Sequence, residues 1–477
     1  MISKNYRPEI DGLRAISVIS VIIYHFGLFF NKQFLPGGYL GVDIFFVISG
    51  YLIGKNLLLE YFSTNNINLK QFYLRRAKRI LPALFFILLA TTFFANLFLA
   101  PRLMINYNDS LFSSLLYFSN FYFWITGQVY GSPDIIEQPL LHTWSLSVEE
   151  QFYIFFPLFI IFYLNFFEKN ISKLKYLLFF LFLISLFISI FLSNLAPAFN
   201  FYFSISRVFE LFIGVIIALQ EIYNKENLTD KKKNFLSYVG LIIILISFYL
   251  FDSHSKHPGI ITLLPLIGTY FLIKFIHKKT ILFNLLSNKF LVFIGLCSYS
   301  LYLVHFPILS FFKSLNILNN NHYELMLIIV FLSITTYFFV EKKLRYINNT
   351  KLFFVILILL LIPNILFIKF LDNTPGIIKN NKELYNTLYL KNESKLKKFK
   401  RKISNQKNIC DFFDFKNCKI DPRKKNLIIL GDSHANILTN ISYKINQDDY
   451  NLIKIITPGC LALPGYNYVH LEYKSIN

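Results

Sequence analysis

Charge is scarce in this chain: Asp, Glu, Lys and Arg make up only 16% of its 477 residues. That is too little to clothe a soluble protein of mixed composition. Cysteine is scarcer, at 4 residues, and three of these (Cys410, Cys418 and Cys460) fall in the last part of the chain. Only Cys297 lies in an apolar run. The first apolar run lacks an A-x-A-like cleavage site, so no cleavable signal peptide is expected and this segment should remain as a span. Acidic residues are few beside basic ones, 27 against 48, and the formal charge of +21 invites a nucleic-acid reading. The positions of the basic residues exclude it. Lys4, Arg7, Lys70, Arg75, Arg76, Lys78, Arg79 and Lys231 to Lys233 recur in alternate segments between the apolar runs, whereas the opposite segments up to residue 351 offer few, among them Lys32, Arg102 and Lys256. This is a positive-inside pattern, which predicts a cytoplasmic N-terminus.

What the chain has in abundance is apolar and aromatic residue, 55% and 18%, with mean hydropathy +0.49. Runs long enough to cross a hydrocarbon core recur near residues 12–30, 39–59, 81–100, 146–166, 176–193, 203–221, 235–251, 259–276, 290–312, 323–340 and 352–371. The expected fold is an all-α polytopic membrane bundle of ten spans, with an eleventh linking span that leaves the C-terminus outside. From about residue 372 the chain turns polar and rich in Lys and Asn, as in "NNKELYNTLYLKNESKLKKFKRK", and reads as a linker. It becomes globular again at "NLIILGDSHANIL". A Cys410–Cys418 disulfide is an option in an oxidising compartment.

Several polar groups stand where lipid would reject them. In "LRAISVISVIIYHFGLFF" the ring of His25 sits within a span, where a polar group is costly unless it faces a cavity or a partner. Arg14 precedes it by eleven residues, close to three helical turns, so both share one helix face about 16 Å apart. Asp11 falls on nearly the same face. The alternative for such a histidine is a hydrogen bond to a neighbouring helix. "RRAKRILP" brings Arg75, Arg76 and Arg79 to the inner mouth of the third span, with Pro82 expected in its first turn. These guanidiniums suit phosphate oxygens, although simple interfacial anchoring is the plainer reading. "LLHTWSLSVEEQFY" gathers His142, Trp144, Ser145, Glu149 and Glu150. Adjacent Glu149 and Glu150 point about 100° apart on a helix, so only one is expected to face a shared cavity. "SRVFELFIG" holds an Arg207–Glu210 pair that could be structural, and "CSYSLYLVHFP" adds Tyr302 and His305, with Pro307 placed to kink the helix.

Taken in order, "YRPEIDGLRAISVISVIIYH", "GGYLGVDIFFVISGYLI", "RRAKRILP", "PLLHTWSLSVEEQFY", "SRVFELFIG" and "CSYSLYLVHFP" resemble the acyltransferase 3 family of membrane acyltransferases that modify bacterial cell-envelope glycans. Arg14 and His25 match that family's arginine and histidine of the first span. The resemblance implies an O-acyltransferase of the bacterial inner membrane. Its donor would be acyl-CoA, most often acetyl-CoA, with phosphates near Arg14, Arg75, Arg76 and Arg79 and the thioester near His25. Its acceptor would be a hydroxyl of lipopolysaccharide O-antigen, peptidoglycan or another surface polysaccharide. No metal and no nucleic-acid partner is implied. His25 would act as general base or carry the acyl group, and Glu149 is our candidate to orient it. The domains expected are 1–345 for the acyltransferase, 346–371 for an additional helix, 372–424 for the linker and 425–477 for a further segment.

That last segment resembles the opening block of SGNH hydrolase-like domains, a short strand followed by Gly431, Asp432, Ser433 and His434. By that resemblance Ser433 would be a nucleophile. The D-x-x-H that supplies such a serine with its base does not occur after it. An incomplete domain is therefore expected. A rival class, a transporter or flippase for a lipid-linked glycan or a proton-coupled solute, would also place His, Arg and Glu within the bilayer. No inverted repeat between the two halves of the chain supports it.

Overall fold

The computed structural model describes residues 6–30, 34–99, 101–128, 135–166, 171–223, 228–315, 322–373, 409–411, 423–431, 450–456, 460–461 and 469–470. The chain divides into two compact units, Met1–Asn380 and Asn381–Asn477.

The first unit is a polytopic all-α bundle. Its helices are α1 (Pro8–Phe29), α2 (Gly41–Thr64), α3 (Leu69–Phe98), α4 (Pro101–Leu115), α5 (Ser119–Thr126) and α6 (Thr143–Phe166). They continue with α7 (Ile171–Leu195), α8 (Pro197–Tyr202), α9 (Ser204–Tyr223), α10 (Asp230–Leu250), α11 (Leu263–Phe275) and α12 (Ile281–Leu286). The last are α13 (Lys289–Leu296), α14 (Ser298–Ser314), α15 (His322–Thr336), α16 (Lys342–Arg345) and α17 (Thr350–Asn373). Each expected span coincides with helix. Among the described residues, 8 helices are long and apolar enough to cross a membrane, or 9 if the bent pair α13–α14 counts as one span. Helix α11 is shorter, and α9 carries Arg207, Glu210 and Glu221, which dilute its apolar character.

Two expectations shift in the helices that hold the basic and histidine motifs. Helix α3 starts at Leu69, where the Asn68 side chain accepts from the Gln71 N–H at 3.0 Å. The "RRAKR" run therefore lies on the helix itself, and Pro82 sits inside it rather than in its first turn. The break in the ninth expected span is a 62° bend at Cys297, well before Pro307. There α1 and α13 touch backbone to backbone, since a Cβ on Gly295 would stand 1.8 Å from the Asp11 carbonyl oxygen. Glycine also lets α2 and α9 cross closely: a Cβ on Gly214 would fall 2.1 Å from the Val47 carbonyl oxygen.

The second unit contains β1 (Ile409–Asp411), β2 (Lys425–Gly431) and β3 (Tyr450–Ile456) in a parallel sheet ordered β1-β3-β2. A short antiparallel pair, β4 (Cys460–Leu461) and β5 (Val469–His470), follows among the described residues. β2 starts at the expected boundary of residue 425, but β1 falls inside the stretch read as linker. Asp432, Ser433 and His434 lie outside the described residues, as does Cys418, so neither the nucleophile nor the disulfide expected there has a structural counterpart to report.

Candidate active site

Two cavities open within the helical bundle. The first holds about 800 Å³ and is lined by Arg14, Arg76, Arg79, Ser49, Ser145, Glu149, Glu150, Tyr153, Tyr299 and Tyr302, with apolar residues of α2 between them. The second holds about 910 Å³ and is lined by Tyr24, His25, Tyr39, His142, Trp144, Phe201, Tyr202, Arg207, Asp252, His257, Tyr302 and Phe306. Val42 and Tyr302 belong to both walls. Each cavity takes residues from α1 and α14, and the chain at the start of α6 passes from the second, through Trp144, to the first, from Ser145 onward. Arg14 and His25 accordingly face different cavities from one continuous helix.

The first cavity is a guanidinium site. Arg14 Nη1 pairs with Asp11 Oδ1 at 3.2 Å, and Asp11 also accepts from the Tyr6 hydroxyl at 2.7 Å. Arg76 lies over the rings of Phe72 and Tyr153, at 5.9 and 5.6 Å to their centroids. Among the described residues no carboxylate forms a salt bridge with Arg76 or Arg79. Arg75 goes elsewhere: Nη2 pairs with Glu60 at 3.1 Å, and the residue does not line the cavity. On the helix Arg79 lies between Arg75 and Arg76, so a wall centred on Arg76 and Arg79 leaves Arg75 at its margin.

Both Glu149 and Glu150 line this cavity, against the expectation of one. Their side chains reach around the 100° between their Cα positions because the wall runs along two turns of α6, from Ser145 to Tyr153. The Glu149 carboxylate accepts hydrogen bonds from the hydroxyls of Ser49 and Tyr153. It stands in the arginine cavity, not beside His25.

The ring beside His25 is another histidine. His25 Nδ1 lies 3.0 Å from His305 Nε2, with the two rings stacked at 5.1 Å and 23°. His305 is fully buried, and its Nδ1 lies 3.1 Å from the Leu301 carbonyl oxygen on the same helix. His142 completes the cluster, 5.8 Å from His305 between centroids and stacked on Phe306. Among the described residues neither nitrogen of His142 has a hydrogen-bond partner. Pro307, having no N–H, leaves the Leu303 carbonyl without its usual helical donor. The rings stack and tilt rather than converge, and no group of His, Cys, Asp and Glu able to hold a metal occurs among the described residues. Below the cluster the Tyr302 hydroxyl donates to the His142 carbonyl at 3.0 Å and shares a 2.6 Å bond with Ser145.

The Arg207–Glu210 pair belongs to a larger buried network. Arg207 Nη2 reaches Asp43 Oδ1 at 3.1 Å, Nε reaches Glu210 at 3.3 Å, and Nη1 reaches His257 Nε2 at 3.3 Å. His257 Nε2 in turn lies 3.0 Å from Asp43 Oδ1. Phe46, Trp144 and Phe201 pack around the guanidinium. Burial pushes the His257 imidazole below its ordinary value, with Asp43 opposing that shift. At the rim, Asp252 is held below the usual carboxylate range by the Ser255 hydroxyl and by the N–H groups of His254 and Ser255.

Asp43 and His257 escaped the sequence reading. Asp43, in the otherwise apolar "GVDIFF", carries the same signal as His25, a polar group within a span; His257, in a loop, carries none. No solved structure matches the chain. The family model described as an acyltransferase domain, acyltransferase 3, matches residues 7–341. Two curated relatives of Staphylococcus aureus, both called O-acetyltransferase OatA, from strains NCTC 8325 / PS 47 and COL, are each 36% identical over 324 residues. Those matches cover 66% of this chain and 52% of each relative, so the chain spans about half their length. The family match runs from the N-terminal turn of α1 to Glu341 and takes in every helix that lines the two cavities: this chain belongs to the acyltransferase 3 family.

Proposed function

We propose that this chain transfers an acyl group, acetyl from cytoplasmic acetyl-CoA, to a hydroxyl of a cell-surface glycan on the far side of the bacterial inner membrane. The observation that carries the reading is the meeting of the two cavities at Val42 and Tyr302. One offers Arg76 and Arg79, free of carboxylate salt bridges among the described residues, with Arg14 at its base. Such an array suits the phosphates of a CoA ester. The other is lined by Tyr24, Tyr39, Trp144 and Tyr202 with Asp252 at its rim, surfaces that stack on a sugar ring and bond its hydroxyls. Positive-inside asymmetry supports a cytoplasmic first cavity. The name of the two relatives, O-acetyltransferase, supports acetyl as the group moved.

The chemistry follows from the geometry. The His25 imidazole takes the proton of the acceptor hydroxyl while that oxygen attacks the thioester carbonyl. The new O–C bond forms, the C–S bond breaks, and the leaving thiolate takes the proton back. Lipopolysaccharide O-antigen, peptidoglycan and other polysaccharides are the acceptor class. Glu149 shapes the donor cavity.

The test is incorporation of labelled acetyl into envelope glycans of cells carrying the native chain or His25→Ala at equal membrane level. Label in the first and its loss by at least about 100-fold in the second is expected. Equal label in both would remove His25 from the chemistry. Transport of an intact solute in place of acetyl transfer would favour the rival class.

A further inference from the structure

The hydrogen bonds around His25 determine which of its nitrogens can react. His305 Nδ1 faces the Leu301 carbonyl oxygen at 3.1 Å, and a carbonyl oxygen only accepts. In a neutral ring the His305 proton is therefore on Nδ1, and its Nε2 carries a lone pair. That Nε2 lies 3.0 Å from Nδ1 of His25. Two lone pairs cannot form this contact, so His25 must carry its own proton on Nδ1. Its Nε2 is then an unprotonated base. Among the described residues no group hydrogen-bonds that nitrogen, and His25 lines the second cavity.

We propose that His305 is a positioning residue that, with the Leu301 carbonyl, holds His25 in its Nδ1–H tautomer and so makes Nε2 the atom that takes the acceptor's proton. The inference rests on the reading of His25 as general base. The relay does two things in the reaction. Before it, the base nitrogen Nε2 is kept unprotonated, on a ring that lines the cavity and is held by the 5.1 Å contact with His305 and by Phe306 at 5.1 Å. During it, Nε2 gains the hydroxyl proton, and the positive charge on His25 is met at Nδ1 by the His305 lone pair. When the thiolate leaves, it takes the proton from Nε2 and the relay returns to its starting state. No proton crosses the His25–His305 bond. The packing of α14 fits this assignment: its Leu301 carbonyl accepts from a ring four residues along, so one helix supplies both the orienting ring and the group that orients it in turn.

The test compares His305→Phe with His305→Gln in the full chain. Phe keeps a ring of similar bulk and has no acceptor, whereas the Gln side-chain oxygen can still accept from His25 Nδ1–H. For His305→Phe we expect kcat for acyl transfer to fall by at least about 100-fold with KM for the acyl-CoA within about twofold. His305→Gln should keep activity within about tenfold of native. A packing role alone would make Phe the better substitute, and that order would overturn the proposal. Nitrogen-15 NMR of histidine-labelled protein in detergent gives a readout independent of turnover. His25 should be Nδ1–H in the native chain and in His305→Gln, and should populate Nε2–H in His305→Phe. A native His25 found as Nε2–H overturns the proposal outright. His25→Ala is measured alongside: if it retains full transfer, the general-base reading fails; if it is inactive while His305→Phe matches native, only the positioning role fails.

Discussion

The two cavities each contain arginine, and they treat it oppositely. Arg207, beside the second, is fully buried against Asp43, Glu210 and His257 and wrapped by three aromatic rings. Arg76 and Arg79, in the first, have no carboxylate salt bridge among the described residues. A guanidinium ion-paired within its own protein joins helices; one that lines a cavity with no carboxylate salt bridge is available to an anion from outside. The sequence offered Arg76 and Arg79 as phosphate ligands or interfacial anchors and the Arg207–Glu210 pair as one that could be structural. Only the partners distinguish architecture from binding.

The comparison breaks most sharply at the buried network. Asp43→Asn removes one of the two carboxylates paired with the buried Arg207, which should destabilise the bundle by about 3 to 5 kcal/mol. Thermal unfolding in detergent, followed by helical circular dichroism, would register this; an unchanged midpoint would mean that Arg207 does not depend on Asp43. Arg79→Gln should behave in the opposite way. The folding midpoint should hold while KM for acyl-CoA rises about 10- to 150-fold, as expected for one lost charge-assisted contact to phosphate, about 1.5 to 3 kcal/mol. A midpoint drop without a KM change would place Arg79 with the architectural arginines.

Two smaller effects sharpen the boundary. Tyr24→Ala, at the second cavity, should raise KM for the acceptor glycan about fivefold and leave acyl-CoA KM alone, since a ring stacked on a sugar contributes about 1 kcal/mol. A change confined to the donor would show that the cavities are not divided as drawn. Arg75→Gln should alter neither KM by more than about twofold, because its guanidinium pairs with Glu60 on the margin of the cavity, and an exposed pair contributes under about 1 kcal/mol. A tenfold effect there would bring Arg75 back to the donor site, where the sequence resemblance had put it.

The amino-acid sequence by itself determined the spans and the placing of Arg14 and His25 on one helix. Both follow from short-range rules, the apolar length that crosses a bilayer and the 3.6-residue turn, which neighbouring residues fix among themselves. It also located the arginine run of α3, although not the start of its helix, because the amphipathic first turns of α3 resemble a loop in hydropathy. What only the tertiary structure decided is which groups meet. His25 and His305 stand 280 residues apart in the chain, and Arg207 and His257 stand 50 apart. Glu149 and His25, placed together by the sequence reading, are divided between two cavities by the way α6 runs along both. Such pairings depend on how helices approach, and here the approach is permitted by glycines such as Gly214 and Gly295, whose lack of a side chain acts at a distance that no local pattern records.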